Sequence, residues 1–274
     1  MTKHTTAKTY LITGAGSGIG AALATKFARA GQNVMLADIN LAAARRIAEP
    51  LELYADVVEL DIRDPEAWER AFDATIARFG TLDVLINNAG IVRTGLARNV
   101  SIADHQATID TNFMGPLTGM IGALRRFREA GAGHLVTVCS MTSFMPFPGL
   151  ASYGASKHAL RAFHHALALE ERHGAVDFTI VHPTATDTPM LTQEAADDDA
   201  AMAFLAQSVT AGEVADTVIK AIRRKAIEVC MPQSSARMIK SLGTDPKRLR
   251  AYADHMEKRG REGLAAKRAI AKGA

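Results

Sequence analysis

Seven short apolar runs alternate with longer stretches of helical character, and this alternation constrains the fold more than any other feature of the sequence. Most of the runs are continuously apolar, which is typical of strands that are buried on both faces. The runs cover residues 9–13, 33–38, 56–62, 84–90, 134–140, 178–183 and 227–232. Repeated strand–helix–strand units predict an α/β fold, a doubly wound parallel sheet of seven strands in a single domain. In such a sheet, ligands bind beyond the carboxyl ends of the strands.

The distribution of charge separates the end of the sequence from the rest. The net charge is +3, but residues 220–274 contain fifteen Lys/Arg and only five Asp/Glu. A basic stretch of this kind is either a solvated helix face or a contact for an anionic partner or membrane surface. No RNA- or DNA-binding motif accompanies it, so we expect no nucleic-acid partner.

Cysteine usage and hydropathy favour an ordinary cytoplasmic protein. Cys139 and Cys230 both lie in apolar runs, which is typical of buried core thiols and not of a disulfide framework or a metal site. The first ten residues lack the apolar core of a secretory signal. No run approaches the roughly 18–20 apolar residues of a transmembrane helix.

A glycine-rich loop, TGAGSGIG, follows the first apolar run and leads directly into helical sequence. Glycine lets the backbone turn tightly and approach a ligand closely, and the start of a helix offers free N–H groups to a phosphate. The loop therefore predicts a dinucleotide-binding site. Its predicted cofactor-binding residues are Gly14, Gly16, Ser17, Gly18, Ile19 and Gly20.

An aspartate at the end of the second run bears on the choice of cofactor. Asp38 can accept hydrogen bonds from the hydroxyls of the adenosine ribose, and its charge repels a 2′-phosphate. Ser17 offers no positive charge that could pair with such a phosphate. These residues favour NAD over NADP. The alternative is that Asp38 merely caps the following helix.

Tyr153 and Lys157 are four positions apart, so their side chains share one face of a helix. A nearby ammonium group stabilises a phenolate and lowers the pKa of a tyrosine. A tyrosine tuned in this way can exchange a proton with an alcohol near neutral pH.

Several further motifs accompany this pair at the ends of other runs. They are Asn87-Asn88-Ala89-Gly90, Asn112, Val138-Cys139-Ser140, Pro183 and Thr188. Together with TGAGSGIG and the tyrosine–lysine pair, they closely resemble the motifs of the short-chain dehydrogenase/reductase family over residues 8–232. The resemblance implies a Rossmann-like fold and hydride transfer with a nicotinamide cofactor, NAD.

The resemblance also implies catalytic roles for four residues. Tyr153 is expected to be the general acid/base, and Lys157 to lower the pKa of Tyr153 and to hold the nicotinamide ribose. Ser140 is expected to orient the substrate oxygen, with Ser143 as the alternative, and Asn112 to position a water that links Lys157 to solvent.

The family pattern further implies contacts along the cofactor. Asp61 is expected on the adenine side and Thr188 at the nicotinamide carboxamide. The remaining implied cofactor contacts are Ile62, Asn88, Ala89, Gly90, Tyr153, Lys157, Pro183 and Thr186. One departure is Thr184, where the family usually has a glycine able to adopt positive φ, so we expect the loop after the sixth strand to run differently.

Large apolar residues surround the expected substrate pocket and favour a hydrophobic secondary alcohol or ketone. They are Met141, Phe144, Met145, Phe147, Leu150, Met190 and Leu191. Two alternatives remain open, an NADPH-type ketoacyl reductase and a dinucleotide-sensing protein without catalysis. The resemblance implies a homodimer or homotetramer, with the helix that carries His164 and His165 at the subunit interface. We interpret His182 as a structural histidine, because no ligands at metal-binding spacing accompany it.

We divide the sequence into a catalytic domain, residues 1–232, and a basic helical extension, residues 233–274. Residues 189–209 are predicted to form a lid over the site, with an ordinary surface helix as the alternative. The extension could shape the substrate entrance, pack on a partner subunit or touch a membrane surface. Apolar residues recur at helical spacing from Leu249 to Met256, which predicts one amphipathic helix there.

Overall fold

The computed structural model describes residues 7–273, with side-chain environments for residues 7–271. Its strands are β1 (Thr9–Thr13), β2 (Asn33–Asp38), β3 (Ala55–Glu59), β4 (Val84–Asn87), β5 (Gly133–Val138), β6 (Val176–Pro183), β7 (Thr186–Asp187), β8 (Val209–Thr210) and β9 (Glu228–Met231). Its helices are α1 (Gly18–Arg29), α2 (Leu41–Ala48), α3 (Pro65–Phe79), α4 (Ile102–Ile109), α5 (Gly115–Ala130), α6 (Ala151–Glu170), α7 (Pro189–Ala195), α8 (Ala211–Arg224), α9 (Gln233–Gly243) and α10 (Pro246–Gly273).

Seven of the strands form one parallel sheet in the order β3-β2-β1-β4-β5-β6-β9. This confirms the predicted seven-stranded, doubly wound parallel sheet. The strand order reverses between β1 and β4, and a crevice opens there at the carboxyl ends of the strands. Both the glycine-rich loop after β1 and the loop after β4 therefore meet at the place where such folds bind ligands.

The third apolar run differs from its strand. Residues 56–62 were predicted to be extended, but β3 ends at Glu59. Leu60 and Ile62 are nevertheless buried in the core, on the same side of the sheet as Trp68. Apolar character reports burial, and here the loop after the strand is buried as well. The fourth run, residues 84–90, ends early for a similar reason, because Asn88 and Ala89 turn into the crevice and bond to Thr13.

Helices cover both faces of the sheet and bury a separate apolar cluster on each. One cluster joins α1 and α8 to the sheet, and the other joins α3, α5 and α6. Close packing in the second cluster depends on small residues: a Cβ at Gly119 of α5 would lie 2.4 Å from the indole ring of Trp68. The indole of Trp68 also stacks on Phe72 at a centroid distance of 5.4 Å.

Residues 189–209, which we call the cover segment, begin shortly after β7 and end in β8. The pairing of β7 with β8 ties the two ends of this segment together. Between them lie α7 and a 3-10 helix over Asp198–Phe204, in which Ala201, Met202 and Phe204 are buried. The segment is thus packed onto the molecule over much of its length.

The C-terminal extension lies against the cover segment. Gly260 and Gly263 of α10 meet its backbone directly, since a Cβ at these positions would lie 2.5 Å from the carbonyl oxygen of Ala201 and 2.1 Å from that of Phe204. Arg268 adds an ion pair with Asp198 at 2.6 Å. The extension therefore packs on the cover segment, and the three roles considered for it stay predictions.

Candidate active site

Two adjoining hollows open at the carboxyl edge of the sheet. A groove of about 570 Å³ crosses the crevice between β1 and β4. A second cavity of about 230 Å³ is lined by the residues that directly follow β5 and β6. Predicted residues that line the groove are Gly14, Ser17, Gly18, Ile19, Asp38, Asp61, Ile62, Asn88, Ala89, Gly90, Tyr153, Lys157 and Thr188. Predicted residues that line the cavity are Ile19, Ser140, Tyr153, Pro183, Thr186 and Thr188. Gly16, Gly20 and Asn112 line neither hollow and support the walls from behind.

The glycine-rich loop makes close backbone contacts that only glycine permits. Gly14 has φ +64°, and a Cβ there would lie 2.9 Å from the Cα of Ala89. A Cβ at Gly20 would lie 2.2 Å from the carbonyl oxygen of Gly14. The loop is therefore folded tightly against the loop after β4, and the first turn of α1 is left facing the groove.

Asp38 holds this loop in place as well as facing the groove. Its Oδ2 accepts a hydrogen bond from the backbone N–H of Gly16 at 2.8 Å, and its Oδ1 accepts one from Asn40 at 2.8 Å. Asn40, and not Asp38, caps α2 by accepting from the N–H of Ala43. The capping alternative considered for Asp38 is thus wrong.

Thr13 and Asn88 form a tie across the crevice. The Thr13 hydroxyl accepts hydrogen bonds from the N–H groups of Asn88 and Ala89, each at 3.0 Å. The amide of Asn88 donates back to the carbonyl oxygens of Thr13 and Gly14 at 2.9 and 3.2 Å. The side chain of Asn88 therefore fixes the floor of the groove.

Asp61 is engaged by a residue that the sequence analysis did not single out. Arg63 forms a bidentate pair with it, with an Nη2–Oδ2 distance of 2.6 Å, and both side chains line the groove. Hydrogen bonding to Arg63 lowers the pKa of Asp61. The Asp-x-Arg spacing is the signal that could have indicated this pair.

Asn112 sits in a single π-helical turn, Asp110–Met114, which joins α4 to α5. Its buried amide accepts from the N–H of Ile91 and donates to the carbonyl of Ile91, each at 2.8 Å, and donates to Ser156 at 3.2 Å. A Cβ at Gly90 would lie 3.1 Å from the Oδ1 of Asn112 and 3.6 Å from the Nζ of Lys157. The π turn thus places Asn112 between the groove floor and the helix that carries Tyr153. Such single π turns are frequent at functional sites.

Tyr153 and Lys157 are buried side by side on α6. They are 8% and 4% exposed, and the Lys157 Nζ lies 5.5 Å from the centre of the Tyr153 ring. Burial raises the pKa of Tyr153 well above its usual range, with the nearby Glu194 raising it further and a hydrogen bond with Ser140 opposing it. Burial also lowers the pKa of Lys157.

Burial disfavours the phenolate, and its effect on the pKa of Tyr153 outweighs that of the hydrogen bond with Ser140. The lowering of this pKa by Lys157 stays a prediction. At neutral pH the phenol keeps its proton and is available as a hydrogen-bond donor.

Ser140 and Ser143, the two candidates for the substrate-orienting hydroxyl, are held differently. Ser140 lines the cavity, and its Oγ accepts from the hydroxyl and N–H of Thr142 at 3.0 and 3.2 Å. Ser143 is buried and does not line the cavity; its hydroxyl bonds to the carbonyl of Ser140 and to the Nδ1 of His182. This geometry favours Ser140 and makes Ser143 part of its support.

A cluster of charged residues, which we call the Glu228 cluster, lies behind Ser140. Glu228 contacts Arg161 at 2.8 Å, His165 at 3.0 Å, His182 at 3.3 Å and Lys240 at 2.6 Å. Burial would raise the pKa of Glu228, but these four partners hold it far below its usual range. The cluster joins α6, β6, β9 and α9, so it connects the catalytic helix to the C-terminal extension.

One expectation about a residue near this cluster is wrong. Phe144 does not line the cavity, because its ring packs between Arg161, Lys240 and His182 at 4.4 to 4.6 Å. On the same helix as Arg161, His164 is fully buried within the chain, where it bonds to Thr137 at 3.0 Å. The place of that helix in a subunit interface stays a prediction.

We expect Glu228→Gln to lower the free energy of unfolding at pH 7 by about 2–3 kcal/mol, because it leaves several cations without a counter-charge. The partial exposure of Lys240, 41%, keeps the loss below that of a fully buried pair. Since the folded pKa of Glu228 is depressed, its contribution is present above the ordinary glutamate pKa and is lost as the pH falls toward the folded value. Urea unfolding from pH 7 to pH 3 should therefore show the difference between the proteins shrinking with acid.

Glu257→Gln is the matched control, because Glu257 forms an exposed pair with Arg261 on α10. No measurable change is expected there. A Glu228→Gln protein as stable as the wild type at pH 7 would contradict the importance of the cluster.

The cavity has an apolar wall that is built partly by the extension. Of the residues predicted for it, Met141, Met145, Phe147, Leu150, Met190 and Leu191 line it. The extension adds a set that the sequence analysis missed: Ser235, Met238, Ile239, Leu242, Tyr252, His255, Met256 and Arg259. Glu194 of α7 was missed as well, although its position three and four residues after Leu191 and Met190 places it on the same helix face.

The backbone at Thr184 follows the departure noted in the sequence. Thr184 does not adopt positive φ, and its N–H bonds to the carbonyl of Met231 at 2.8 Å. The loop after β6 thus stays attached to β9 before the cover segment begins.

Within residues 7–273, no three His, Cys, Asp or Glu side chains are arranged to hold a metal ion. The same part of the chain contains no helix with the length and apolar character required to cross a membrane.

Comparison with known proteins agrees with the geometry. Residues 8–199 match the short chain dehydrogenase family. A trans-4-hydroxycyclohexanecarboxylate dehydrogenase of Sinomonas cyclohexanicum is 33% identical over 192 residues, which is 67% of this chain and 74% of that protein. A 3-alpha-(or 20-beta)-hydroxysteroid dehydrogenase of Mycobacterium tuberculosis is 30% identical over 183 residues, which is 67% of this chain and 70% of that protein. A short chain dehydrogenase/reductase of Burkholderia phymatum, solved in complex with NAD, superposes with a TM-score of 0.81 at 25% identity, covering 89% of this chain and 95% of that one.

Proposed function

The chain belongs to the short-chain dehydrogenase family, and on that premise we propose that it is an NAD-dependent oxidoreductase acting on a hydrophobic secondary alcohol or its ketone. The observation that carries the proposal is the position of Tyr153, which lines both the groove and the apolar cavity. A proton-exchanging group at this junction can serve a substrate in the cavity while a dinucleotide occupies the groove.

The residues of the groove fit a nicotinamide dinucleotide. The glycines of the loop have no Cβ atoms, which leaves room for a ligand close to the backbone. The first turn of α1 presents free N–H groups suited to a pyrophosphate. We propose that Asp38 receives the adenosine ribose, that Lys157 holds the second ribose and that Thr188 contacts the carboxamide. When bound, the nicotinamide supplies or accepts the hydride.

The chain's own contribution is proton transfer and orientation. In the reducing direction, the neutral Tyr153 phenol donates its proton to the substrate oxygen, and the Ser140 hydroxyl donates a hydrogen bond to the same oxygen. In the oxidising direction, Tyr153 has to be deprotonated first, and the neighbouring Lys157 ammonium stabilises its phenolate. The apolar cavity excludes water from the reacting carbon.

The direct test is a panel of hydrophobic secondary alcohols and ketones with NAD(H), followed by absorbance of the reduced nicotinamide. Turnover of members of the panel supports the proposal. Tight NADH binding without turnover of any member would favour the dinucleotide-sensing alternative, because Ser140, Tyr153 and Lys157 would then serve no reaction.

We expect Asp38→Ala to raise kcat/KM with NADP while lowering that with NAD, so that their ratio changes by about 10- to 100-fold. The substitution removes the carboxylate that repels a 2′-phosphate and binds the ribose. Parallel initial rates with the two cofactors measure the ratio. Because Asp38 also accepts from Gly16, Asp38→Asn serves as the variant that keeps the side-chain shape. Equal rates with both cofactors in the wild type would contradict the role of Asp38.

A further inference from the structure

Glu194 is a buried carboxyl group on the wall of an otherwise largely apolar cavity. It lies on α7 of the cover segment, is 7% exposed and lines the cavity together with Ser140 and Tyr153. Its pKa is raised to about 7 by burial, and no hydrogen bond or ion pair with another described residue offsets that burial. A buried carboxyl without a partner is costly to the folded protein, so its presence here needs an explanation.

The two ends of the cavity differ in character. Tyr252, His255 and Arg259 of α10 line it but are exposed, which places them at its opening. Tyr153 and Glu194 are buried and Ser140 is half-buried, which places these three at the inner end. The negative charge of Glu194 raises the pKa of Tyr153, so the two side chains interact electrostatically. Glu194 therefore lies close to the place where the reacting oxygen is expected.

A carboxyl in this position can donate a hydrogen bond when it is protonated and accept one when it is ionised. An uncharged hydroxyl or carbonyl of a ligand can satisfy it in either state. A carboxylate ligand is disfavoured, because the ionised fraction of Glu194 repels it. The surrounding methionine, leucine and phenylalanine side chains favour an apolar frame for the rest of the ligand.

We propose that Glu194 binds a second, uncharged polar group of the substrate, so that the preferred substrates are hydroxy ketones, diketones or diols on an apolar frame. This inference rests on the proposed function, because it places the reacting oxygen at Tyr153 and Ser140. Glu194 is then a specificity-determining residue that contributes little to the turnover of substrates with a single oxygen.

The test compares cyclohexanone with its 2-, 3- and 4-hydroxy derivatives, which share one frame and differ in the second group. Wild-type enzyme with NADH is expected to show a kcat/KM at least tenfold higher for one hydroxy derivative than for cyclohexanone. In Glu194→Leu this ratio should fall to about one. Glu194→Gln, which keeps hydrogen-bonding groups, should retain most of the preference.

Glu170→Leu is the matched control, because Glu170 is an exposed carboxylate at the end of α6. It should leave both the rates and their ratio unchanged. Thermal unfolding of all variants, followed by circular dichroism, identifies any that fail to fold.

Calorimetric titration of the four ketones into enzyme with NAD adds a measurement without turnover. A preference for a hydroxy derivative that is lost in Glu194→Leu, seen in binding but without any reduction, would support the role of Glu194 and overturn the proposed hydride chemistry. Turnover with the same ratio in wild type and Glu194→Leu would overturn the inference and leave the proposed function standing. If none of the four ketones bound to the enzyme or was reduced by it, the inference would be overturned.

Discussion

Tyr153→Phe is expected to reduce kcat by about 10²- to 10⁴-fold, which is the usual contribution of a positioned acid or base. The substitution removes one oxygen and keeps the ring that separates the groove from the cavity. Because burial raises the pKa of Tyr153, the wild-type phenol carries its proton in the neutral range. The variant has no proton to donate to a substrate oxygen, while the residues that form the rest of the groove are untouched.

Stopped-flow or steady-state rates with NADH and a ketone that the wild-type enzyme reduces measure this loss. Fluorescence titration measures NADH affinity. Affinity should change less than threefold. Tyr54→Phe is the control, since Tyr54 is an exposed tyrosine in the 3-10 segment Glu49–Tyr54, which precedes β3. A Tyr153→Phe enzyme with a tenth or more of the wild-type kcat would show that another group transfers the proton.

The raised pKa of Tyr153 also predicts how the two directions of the reaction respond to pH. Alcohol oxidation requires the phenolate and should rise steadily from pH 6 to pH 9, whereas ketone reduction uses the phenol and should stay level until the pH nears the phenol pKa. Oxidation that levels off below pH 8 would show that the bound cofactor and Lys157 lower the pKa of Tyr153 strongly.

Gly263→Ala is expected to lower the free energy of unfolding by about 1–3 kcal/mol and to raise the KM for apolar substrates severalfold. The new Cβ would lie 2.1 Å from the carbonyl oxygen of Phe204, so α10 has to move away from the cover segment. Met256, which lines the cavity from the same helix, moves with it. NADH affinity should be unchanged, because none of the described side chains of α10, residues 246–271, lines the groove.

Gly212→Ala is the matched control for this change. Gly212 lies in the first turn of α8, where a Cβ would meet only the Thr210 hydroxyl at 3.8 Å. Alanine is the better helix former, so this protein should be as stable as the wild type or slightly more stable. If Gly263→Ala behaved in the same way in urea unfolding, the contact between α10 and the cover segment would be loose.

The sheet could be predicted from the sequence because its five inner strands are largely buried on both faces. All seven apolar runs coincide with strands, and the misplaced ends fall where buried residues such as Leu60 and Ile62 continue past a strand. The residues of the groove could be placed for a related reason, since short motifs at strand ends are brought together by the parallel topology. The π turn at Asn112 could not be foreseen, because it is one extra residue in a helix whose pattern is otherwise ordinary.

The substrate side was harder to predict because its contacts join distant parts of the chain. Nothing local to α10 indicates that Gly260 and Gly263 meet the backbone of residues 201 and 204. The extent of burial of Tyr153 and Lys157 could not be predicted either, because the spacing of the pair shows only that they are close together.

The cavity wall formed by α9 and α10 has a consequence for how such an enzyme can diversify. The match to the family ends at residue 199, whereas Met238, Leu242 and Met256 on the cavity wall lie beyond it. The cavity wall thus combines residues of the matched stretch, such as Met141 and Met190, with residues that follow it. Exchanging the stretch after residue 199 between two relatives is therefore expected to change the substrate preference and to leave the residues that line the groove unchanged.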